Sequence, residues 1–282
     1  MNSFFTKDKI DQLIKEDVPY FDLTTHLMGI GDKPGHLRYI TRNQTMVACS
    51  EEGAQVLKAL GLEVMAICPS GTLLEPGKVI LEARGNAAAL HQAWRVVVNI
   101  LEYNCGIATR TYNTLKKARE VNPFIHLLST RKIFPGTKEL AIKAVMSGGG
   151  YPHRLGLSES VLIFDHHLKF FENESAADQA IIRVKKEALE KKVLLEVGSM
   201  EDARRYMKLG IDGMQFDKFQ PKILAEMVAE IRKESPNLYL IAAGGVTPDN
   251  AVEYAKTGVD ALVTTAMYFG KPADIKAEMT PQ

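Results

Sequence analysis

Charged residues stand at the ends of several short apolar runs in the second half of the chain. The run FIHLLS is followed by Arg131 and Lys132, the run VLLEV contains Glu196, and the run GMQF leads into Asp217. A carboxylate inside an apolar strand is costly to bury unless it has a partner. We therefore expect Glu196 either to pair with Lys132 or to bind a metal ion or a sugar. Two cations and two carboxylates in this pattern indicate a site for charged ligands.

Three further groups of residues are suited to bind anions. A histidine and an arginine follow three glycines, two glycines follow the run LYLIAA, and two threonines end the run ALVTT. Backbone N–H groups at the late loops of a barrel commonly bind phosphate. A simple tight turn would explain the glycines equally well. The residues concerned are His153, Arg154, Gly244, Gly245, Thr264 and Thr265.

The elements that must position these residues alternate regularly. From about residue 122, short apolar runs alternate with helical patterns, which is typical of a parallel sheet. Repeated βα units with short loops favour a closed or nearly closed barrel over an open doubly wound sheet. No G-x-G-x-x-G follows the first strand, which lowers the case for dinucleotide binding. Reactive groups of such a barrel collect where strands end, and the charged residues stand at those positions.

The first part of the chain predicts a separate α+β region. Glycine and proline punctuate its middle, and a long helical pattern follows. We expect a helix over Lys7–Glu16, strands within Leu37–Ser50, a helix over Glu51–Leu60, a hairpin over Ser70–Glu82 and a helix over Asn86–Thr114.

Composition limits the class of protein. The chain has 282 residues and a net charge of +1, which offers no general attraction to nucleic acid or to a membrane. Its cysteines, Cys49, Cys68 and Cys105, are far apart and are expected to be core residues in a reducing compartment. Neither a signal pattern nor a membrane-length apolar run is present, so we expect a cytoplasmic protein.

Long motifs resemble those of the quinolinate phosphoribosyltransferase (nicotinate-nucleotide pyrophosphorylase) family. They are NCGIATRTYNTLKKA, STRKIFPGTKELAIKAVMSGGGYPHRLGLSESVLIF, LLEVGSMEDA, MQFDKF and AAGGVTPDNAVEYAKTGVDALVTT. The stretches EDVPYFDLTTHLMGIGDKPG, KIFPGTKELAIKAV and YFGKPADIK are more similar to its ModD branch, which is associated with molybdenum transport genes. The resemblance covers nearly the whole chain.

The resemblance implies a fold, an assembly and a reaction. The fold would be α/β, with an N-terminal α/β sandwich domain over 1–108 and an open parallel α/β barrel over 109–267. The C-terminal segment 268–282 would return to the N-terminal domain. Subunits would pair head-to-tail as a homodimer, with higher oligomers left open. The reaction would transfer a phosphoribosyl group from phosphoribosyl pyrophosphate to an aromatic carboxylate.

The resemblance also implies a role for each candidate residue. Lys132, Glu196 and Asp217 would surround phosphoribosyl pyrophosphate, and the two carboxylates would bind its Mg²⁺. The ring carboxylates would be bound by Arg131, His153 and Arg154, together with Arg95 from the neighbouring subunit. The 5′-phosphate would be bound by Gly244, Gly245, Thr264 and Thr265.

Several positions depart from the family pattern. Where quinolinate-using members have IKDNH, this chain has IFDHH, so Phe164 replaces a cation and His166 replaces an asparagine. The pattern LDNF becomes FDKF, and Ala243 and Thr265 replace a serine and a glycine at the phosphate loops. Losing one cation removes a contact of roughly 1.5–3 kcal/mol. Phosphoribosyl transfer is therefore better supported than quinolinate specificity.

Two other classes of function remain open on the sequence. The cationic residues suit a non-catalytic, regulatory protein that binds an oxyanion or nucleotide in metal uptake, although such a protein has no use for two carboxylates. A Schiff-base aldolase barrel with Lys132 as nucleophile would need a desolvated, cation-crowded lysine. Arg131 could supply that crowding, and the carboxylates would oppose it.

Overall fold

A computed structural model describes residues 5–282, and the first four residues of the predicted domain 1–108 lie outside the described part. Two compact units are present. One contains the described residues up to Tyr112 together with Phe134–Gly149 and Met267–Gln282. The other contains Asn113–Ile133 and Gly150–Ala266.

Helices and strands follow one another along the chain as α1 (Lys7–Asp17), α2 (Leu23–Leu27), β1 (Pro34–Thr41), β2 (Thr45–Met46), α3 (Ser50–Ala59), β3 (Glu63–Ile67), β4 (Leu73–Leu74), β5 (Val79–Asn86), α4 (Ala87–Arg119), β6 (His126–Ser129), α5 (Lys138–Ser147), β7 (Tyr151–Pro152), β8 (Val161–Ile163), α6 (Asp165–Leu168), α7 (Glu174–Glu187), β9 (Val193–Val197), α8 (Met200–Lys208), β10 (Gly213–Asp217), α9 (Pro221–Glu234), β11 (Tyr239–Ala243), α10 (Ala251–Ala255), β12 (Ala261–Thr264) and β13 (Ile275–Pro281).

The first unit is built on an antiparallel sheet of order β13–β1–β5–β3. The C-terminal strand β13 pairs with β1 along its length, from Gly35 opposite Pro281 to Thr41 opposite Ile275. The hairpin predicted over Ser70–Glu82 is wrong, because β4 pairs with β2 whereas β5 pairs with β1 and β3. Glycine and proline do break the chain there, but the two strands that they separate join different sheets.

The second unit is a seven-stranded parallel sheet of order β7–β6–β12–β11–β10–β9–β8. Its terminal strands β7 and β8 are not paired with each other, so the sheet is open. This confirms the predicted open parallel α/β barrel and a separate N-terminal α/β domain. The two-residue strand β7 was missed, because GGGYP has the composition of a loop.

Side-chain capping fixes where the helices of this unit begin. Asn173 Oδ1 accepts a hydrogen bond from the N–H of Ala176 at the start of α7. Ser199 Oγ accepts from the N–H of Asp202 at the start of α8. Such caps satisfy N–H groups that have no partner within the helix. Helix α8 therefore begins shortly after β9 ends, whereas α6 lies between β8 and α7.

One face of the parallel sheet buries a continuous apolar cluster. Its members come from successive strands: Leu128, Leu162, Leu194, Ile241, Ala243, Ala261 and Val263. Because side chains alternate along a strand, the residue two positions beyond each of these lies on the same face. Thr130, Phe164, Glu196 and Thr265 occupy such positions. The alternation therefore places these four side chains, three of them polar, at the end of the sheet where the strands terminate.

Segment Phe134–Gly149, which contains α5, belongs to the first unit. Lys143 Nζ lies 2.7 Å from each carboxylate oxygen of Glu52 and 2.9 Å from Glu51 Oε2, both on α3. These contacts attach α5 to α3. They hold α5 within the first unit, and the predicted boundaries 1–108, 109–267 and 268–282 stay predictions. Within the described residues, none of the helices is both long and apolar enough to cross a bilayer.

Candidate active site

A cavity of about 620 Å³ opens where the strands of the parallel sheet end. It belongs entirely to the second unit. Its lining comprises the strand-end and loop residues Thr130, Arg131, Lys132, His153, Arg154, Leu162, Phe164, His166, Glu196, Gln215, Asp217, Lys218, Ala243, Gly244, Gly245, Val246, Val263, Thr264, Thr265 and Ala266.

Glu196 is held by a neighbouring amide. Gln215 is opposite Glu196 in the parallel register of β10 and β9, and its Nε2 donates to Glu196 Oε2 at 3.1 Å. Burial raises the pKa of Glu196, the hydrogen bond from Gln215 opposes that rise, and the nearby Asp217 carboxylate adds to it. Lys132, the partner that the sequence offered as one alternative, does not make this contact. The acidic wall of the cavity therefore contains two interacting carboxylates.

Gln215 also bridges to His153. Its Oε1 lies 3.0 Å from His153 Nε2. An amide oxygen can only accept, so His153 Nε2 carries the hydrogen and donates it. Burial lowers the pKa of His153 below its ordinary value of 6.5, and Arg154 contributes in the same direction. The side chains of His153, Gln215 and Glu196 form one hydrogen-bonded row from an imidazole to a carboxylate.

A second group of cavity residues is cationic and aromatic. Burial lowers the pKa of Arg154, and the charge of Arg131 lowers it further, so the two guanidinium groups are close enough to repel. Arg154 Cζ lies 5.4 Å from the centroid of the Phe164 ring, within cation–π range. The His166 ring stacks on Phe164, with 5.5 Å between centroids and 13° between planes. An anion between the two arginines would relieve their repulsion.

A glycine turn lies against the acidic wall. Gly244 and Gly245 have φ of +75° and +81°, which side chains disfavour. A Cβ on Gly244 would lie 2.3 Å from Asp217 Oδ1 and 2.8 Å from the Lys218 nitrogen. Lys218 itself has φ of +61°, and its N–H donates to Ala243 O at 2.8 Å. Only glycine allows the turn to approach Asp217 this closely.

Threonine hydroxyls complete the cavity between β6 and β12. Thr130 Oγ1 and Thr265 Oγ1 are 3.0 Å apart. The buried Thr264 donates from Oγ1 to Val246 O at 2.5 Å and accepts from the N–H of Ala266 at 3.0 Å. Thr264 therefore holds the loop in shape. Thr265 keeps a hydroxyl at the cavity surface.

Almost all of the residues predicted from the sequence line this single cavity: Lys132, Glu196, Asp217, Arg131, His153, Arg154, Gly244, Gly245, Thr264 and Thr265. Arg95 is different. It is exposed on α4 in the first unit, with its Cζ 5.1 Å from the centroid of the Trp94 ring. Its predicted role in a neighbouring subunit stays a prediction.

Gln215 is the site residue that sequence reasoning missed. A signal was present, because a polar residue two positions before Asp217 in the apolar run GMQF must share a face with that carboxylate. Gln215 does not stand out among the charged candidates because its amide carries no charge. Its side chain is nevertheless almost fully buried.

The carboxylates of the cavity are candidate ligands for Mg²⁺. In the part of the chain that the structure describes, no cluster of three or more Asp, Glu, His or Cys side chains is assembled for a metal ion. Mg²⁺ is commonly bound by one or two carboxylates together with substrate phosphates and water. Glu196 and Asp217, which interact across the acidic wall, fit that pattern when a phosphorylated substrate supplies the other oxygens.

Comparison with known proteins identifies the family. The family model for the quinolinate phosphoribosyl transferase C-terminal domain matches residues 107–278, and the model for the N-terminal domain matches residues 22–105. The protein named pyrophosphorylase ModD from Pasteurella multocida is 33% identical over 99% of both chains. A protein named nicotinate-nucleotide pyrophosphorylase (carboxylating) from Archaeoglobus fulgidus is 30% identical over 91% of this chain and 96% of its own.

Solved structures agree on the fold. The nicotinate-nucleotide pyrophosphorylase from Francisella tularensis superposes with a TM-score of 0.87 at 23% identity, covering 96% of this chain and 94% of its own. NadC from Streptococcus pyogenes superposes with a TM-score of 0.88 at 20% identity over all of both chains. The chain therefore belongs to the quinolinate phosphoribosyl transferase family, a family of pentosyltransferases.

Proposed function

We propose that this protein transfers the phosphoribosyl group of phosphoribosyl pyrophosphate to a ring nitrogen of an aromatic carboxylate. The observation that carries the proposal is one cavity that contains two interacting carboxylates and two neighbouring arginines. In the reaction, the ring nitrogen lone pair forms the bond to the sugar C1. The bond from C1 to the pyrophosphate oxygen breaks, and its electron pair leaves with pyrophosphate.

The carboxylates suit the sugar that becomes positively charged, and the cations suit the negatively charged groups of the two substrates. Positive charge develops on the sugar as the C1–oxygen bond breaks, and carboxylates placed beside it lower the barrier. Glu196 and Asp217 supply that negative charge. The arginine pair binds the carboxylate of the ring, and the exposed Lys132 binds the departing pyrophosphate. The Gly244–Gly245 turn and the loop at Thr264 and Thr265 would bind the 5′-phosphate.

Mg²⁺ belongs to the same proposal. Glu196 and Asp217 would hold it from the protein side, because they are the interacting carboxylates of the cavity. When bound, Mg²⁺ neutralises charge on the pyrophosphate leaving group.

A homodimer would complete the site with Arg95. On α4, the apolar residues Val96, Val97, Val98 and Ile100 are buried within the subunit and are not available for an interface. Exposed apolar side chains of the first unit include Tyr20, Phe21, Leu23, Leu27 and Met28, which precede β1, and Trp94 on α4. Together they favour a partner surface beside Arg95.

The test is pyrophosphate release from phosphoribosyl pyrophosphate and Mg²⁺, screened with quinolinate, nicotinate and other aromatic carboxylates. We expect release that depends on the ring acid, with the phosphoribosylated ring detected by mass. No release with any ring acid, under conditions where phosphoribosyl pyrophosphate binds, would contradict the proposal.

The alternatives are weaker on specific grounds. A Schiff-base lysine needs desolvation, and Lys132 is exposed. A non-catalytic oxyanion binder would gain nothing from the acidic wall, where Glu196 and Asp217 would repel the ligand. A role beside molybdenum transport rests on the similarity to ModD proteins alone, and we propose it only on that basis.

A further inference from the structure

We infer that the ring substrate carries a single carboxylate, bound at Arg131 and Arg154, and presents an uncharged edge to Phe164. The inference deepens the proposed function and rests on it. It concerns the class of substrate, an aromatic or heteroaromatic monocarboxylate, and it assigns Phe164 as the residue that determines this specificity.

The first observation is the position of Phe164. It directly follows β8, whose last residue Ile163 is in register with Leu195 of β9. The next residues along the two neighbouring strands are Phe164 and Glu196, and both line the cavity. A carboxylate placed against Phe164 would therefore lie beside the Glu196 carboxylate. Like charges that are close together repel, and the lining residues that β8 and the turn after it contribute, Leu162, Phe164 and His166, include no lysine or arginine.

The second observation is the aromatic surface itself. Phe164 is half-buried and packs against the apolar cluster of the sheet. The His166 ring covers it in a nearly parallel stack, and the His167 Nδ1 accepts the N–H of Phe164 at 2.9 Å. These contacts fix the ring at the cavity wall. An unpaired carboxylate desolvated against this surface would lose hydration without compensation.

The third observation is where the cationic charge lies. Arg154 reaches over the Phe164 ring and is near Arg131, so both guanidinium groups serve the same end of the cavity. Two other basic groups of the cavity already have partners: His153 donates to Gln215, and Lys218 Nζ lies 3.6 Å from Asp217 Oδ2. One anion at the arginine pair satisfies the charge of this wall. A flat ring with its carboxylate there would place its uncharged part over Phe164.

The test compares binding of pyridine-3-carboxylate with binding of pyridine-2,3-dicarboxylate by calorimetry, in the full-length protein and in the absence of turnover. Calorimetry measures ring binding alone. A wrong preference between the two acids would therefore contradict this inference even if pyrophosphate is released, and a lack of release would contradict the proposed function whatever the preference. We expect the monocarboxylate to bind about tenfold or more tightly than the dicarboxylate, as loss of one charge-assisted contact implies. Equal or tighter binding of the dicarboxylate would overturn the inference.

Variants make the test specific to Phe164. Phe164→Lys should move the preference toward the dicarboxylate by about tenfold or more. Phe164→Leu keeps an apolar wall, so it should keep the preference for the monocarboxylate while weakening both ligands through loss of stacking. Phe170→Lys, the same change at a residue that is 91% exposed, should alter neither affinity. An unchanged affinity ratio in folded Phe164→Lys, or a reversed ratio in Phe164→Leu, would contradict the assignment.

Discussion

Gln215 and Glu196 face each other across neighbouring parallel strands, and the Gln215 amide donates to the Glu196 carboxylate at 3.1 Å. The other end of the same amide accepts from His153 at 3.0 Å. An uncharged residue thus sets the position of a carboxylate on one side and of an imidazole on the other. The acidic wall depends on this residue as well as on its charged members.

We predict that Gln215→Met lowers turnover by about 10-fold or more, because a hydrogen bond to a charged group contributes roughly 1.5–3 kcal/mol. Steady-state kinetics would show the loss mainly in kcat, since the substitution releases Glu196 without removing it. Gln220→Met, at an exposed position just before α9, is the matched control and should be neutral. Normal kcat in Gln215→Met would remove the positioning role.

The glycine turn gives a second prediction, with a control of the same backbone type. Gly244→Ala should both destabilise the fold and lower turnover, because the added Cβ displaces Asp217. Gly210→Ala also adds a Cβ at positive φ, but nothing lies within 4 Å of it. Gly210→Ala should lower the free energy of unfolding only by the roughly 1–2 kcal/mol that a side chain costs at positive φ, and it should leave kcat unchanged. Equal effects of both variants on unfolding and on kcat would show that the contact with Asp217 is unimportant.

Acid should weaken the attachment of α5 to α3. Burial alone would raise the pKa of Glu51, but hydrogen bonds from Lys143 and Ser70 outweigh it and bring the pKa to about 2. A carboxylate whose pKa is lowered on folding stabilises the native state above its unfolded value of 4.5, and the stabilisation is lost as the pH falls toward 2. Urea unfolding at successive pH values should therefore show less acid sensitivity in Glu51→Gln over this window.

A matched comparison separates this effect from general acid unfolding. Glu63→Gln changes a carboxylate whose side chain is 58% exposed and should leave the pH dependence nearly unaltered. If Glu51→Gln kept the same acid sensitivity as the parent, the low pKa of Glu51 would be contradicted.

Lys143, which contacts both Glu51 and Glu52, gives a separate prediction. Lys143→Met should destabilise the protein by about 3–5 kcal/mol, because it leaves the buried Glu52 carboxylate without its cation. Lys58→Met, at an exposed position on α3, should lie within about 0.5 kcal/mol of the parent. Urea unfolding at neutral pH measures both, and equal stability of the two variants would contradict the structural role of Lys143.

Assembly can be tested through the exposed apolar residues of the first unit. Sedimentation should show a dimer at micromolar concentration, and Leu27→Glu should shift it toward monomer because Leu27 is 75% exposed. Phe170→Glu, in the second unit, should leave the dimer intact. A monomeric parent protein would remove both the interface and the proposed contribution of Arg95.

Strands β6 and β8 to β12 could be predicted because each is a short apolar run that lies between helical patterns. Alternation then placed Glu196 and Asp217 at the cavity without further information. Three features could not be predicted in the same way. Strand β7 is too short to show a period. Helix α5 belongs to the first unit, where Lys143 pairs with Glu52, and Gln215 acts through hydrogen bonds that depend on register. Each depends on contacts between residues distant in sequence.

The most direct test of the account is the effect of the acidic wall on pyrophosphate release. Glu196→Gln and Asp217→Asn keep the shape of each side chain and remove its charge, so they should lower turnover while leaving the affinity for the ring acid within a few-fold. Stopped-flow pyrophosphate release and calorimetric ring binding, measured on the same preparations, separate the two quantities. The account predicts a loss of turnover of at least about 100-fold in each variant. Near-normal turnover in either variant would contradict the role assigned to that carboxylate.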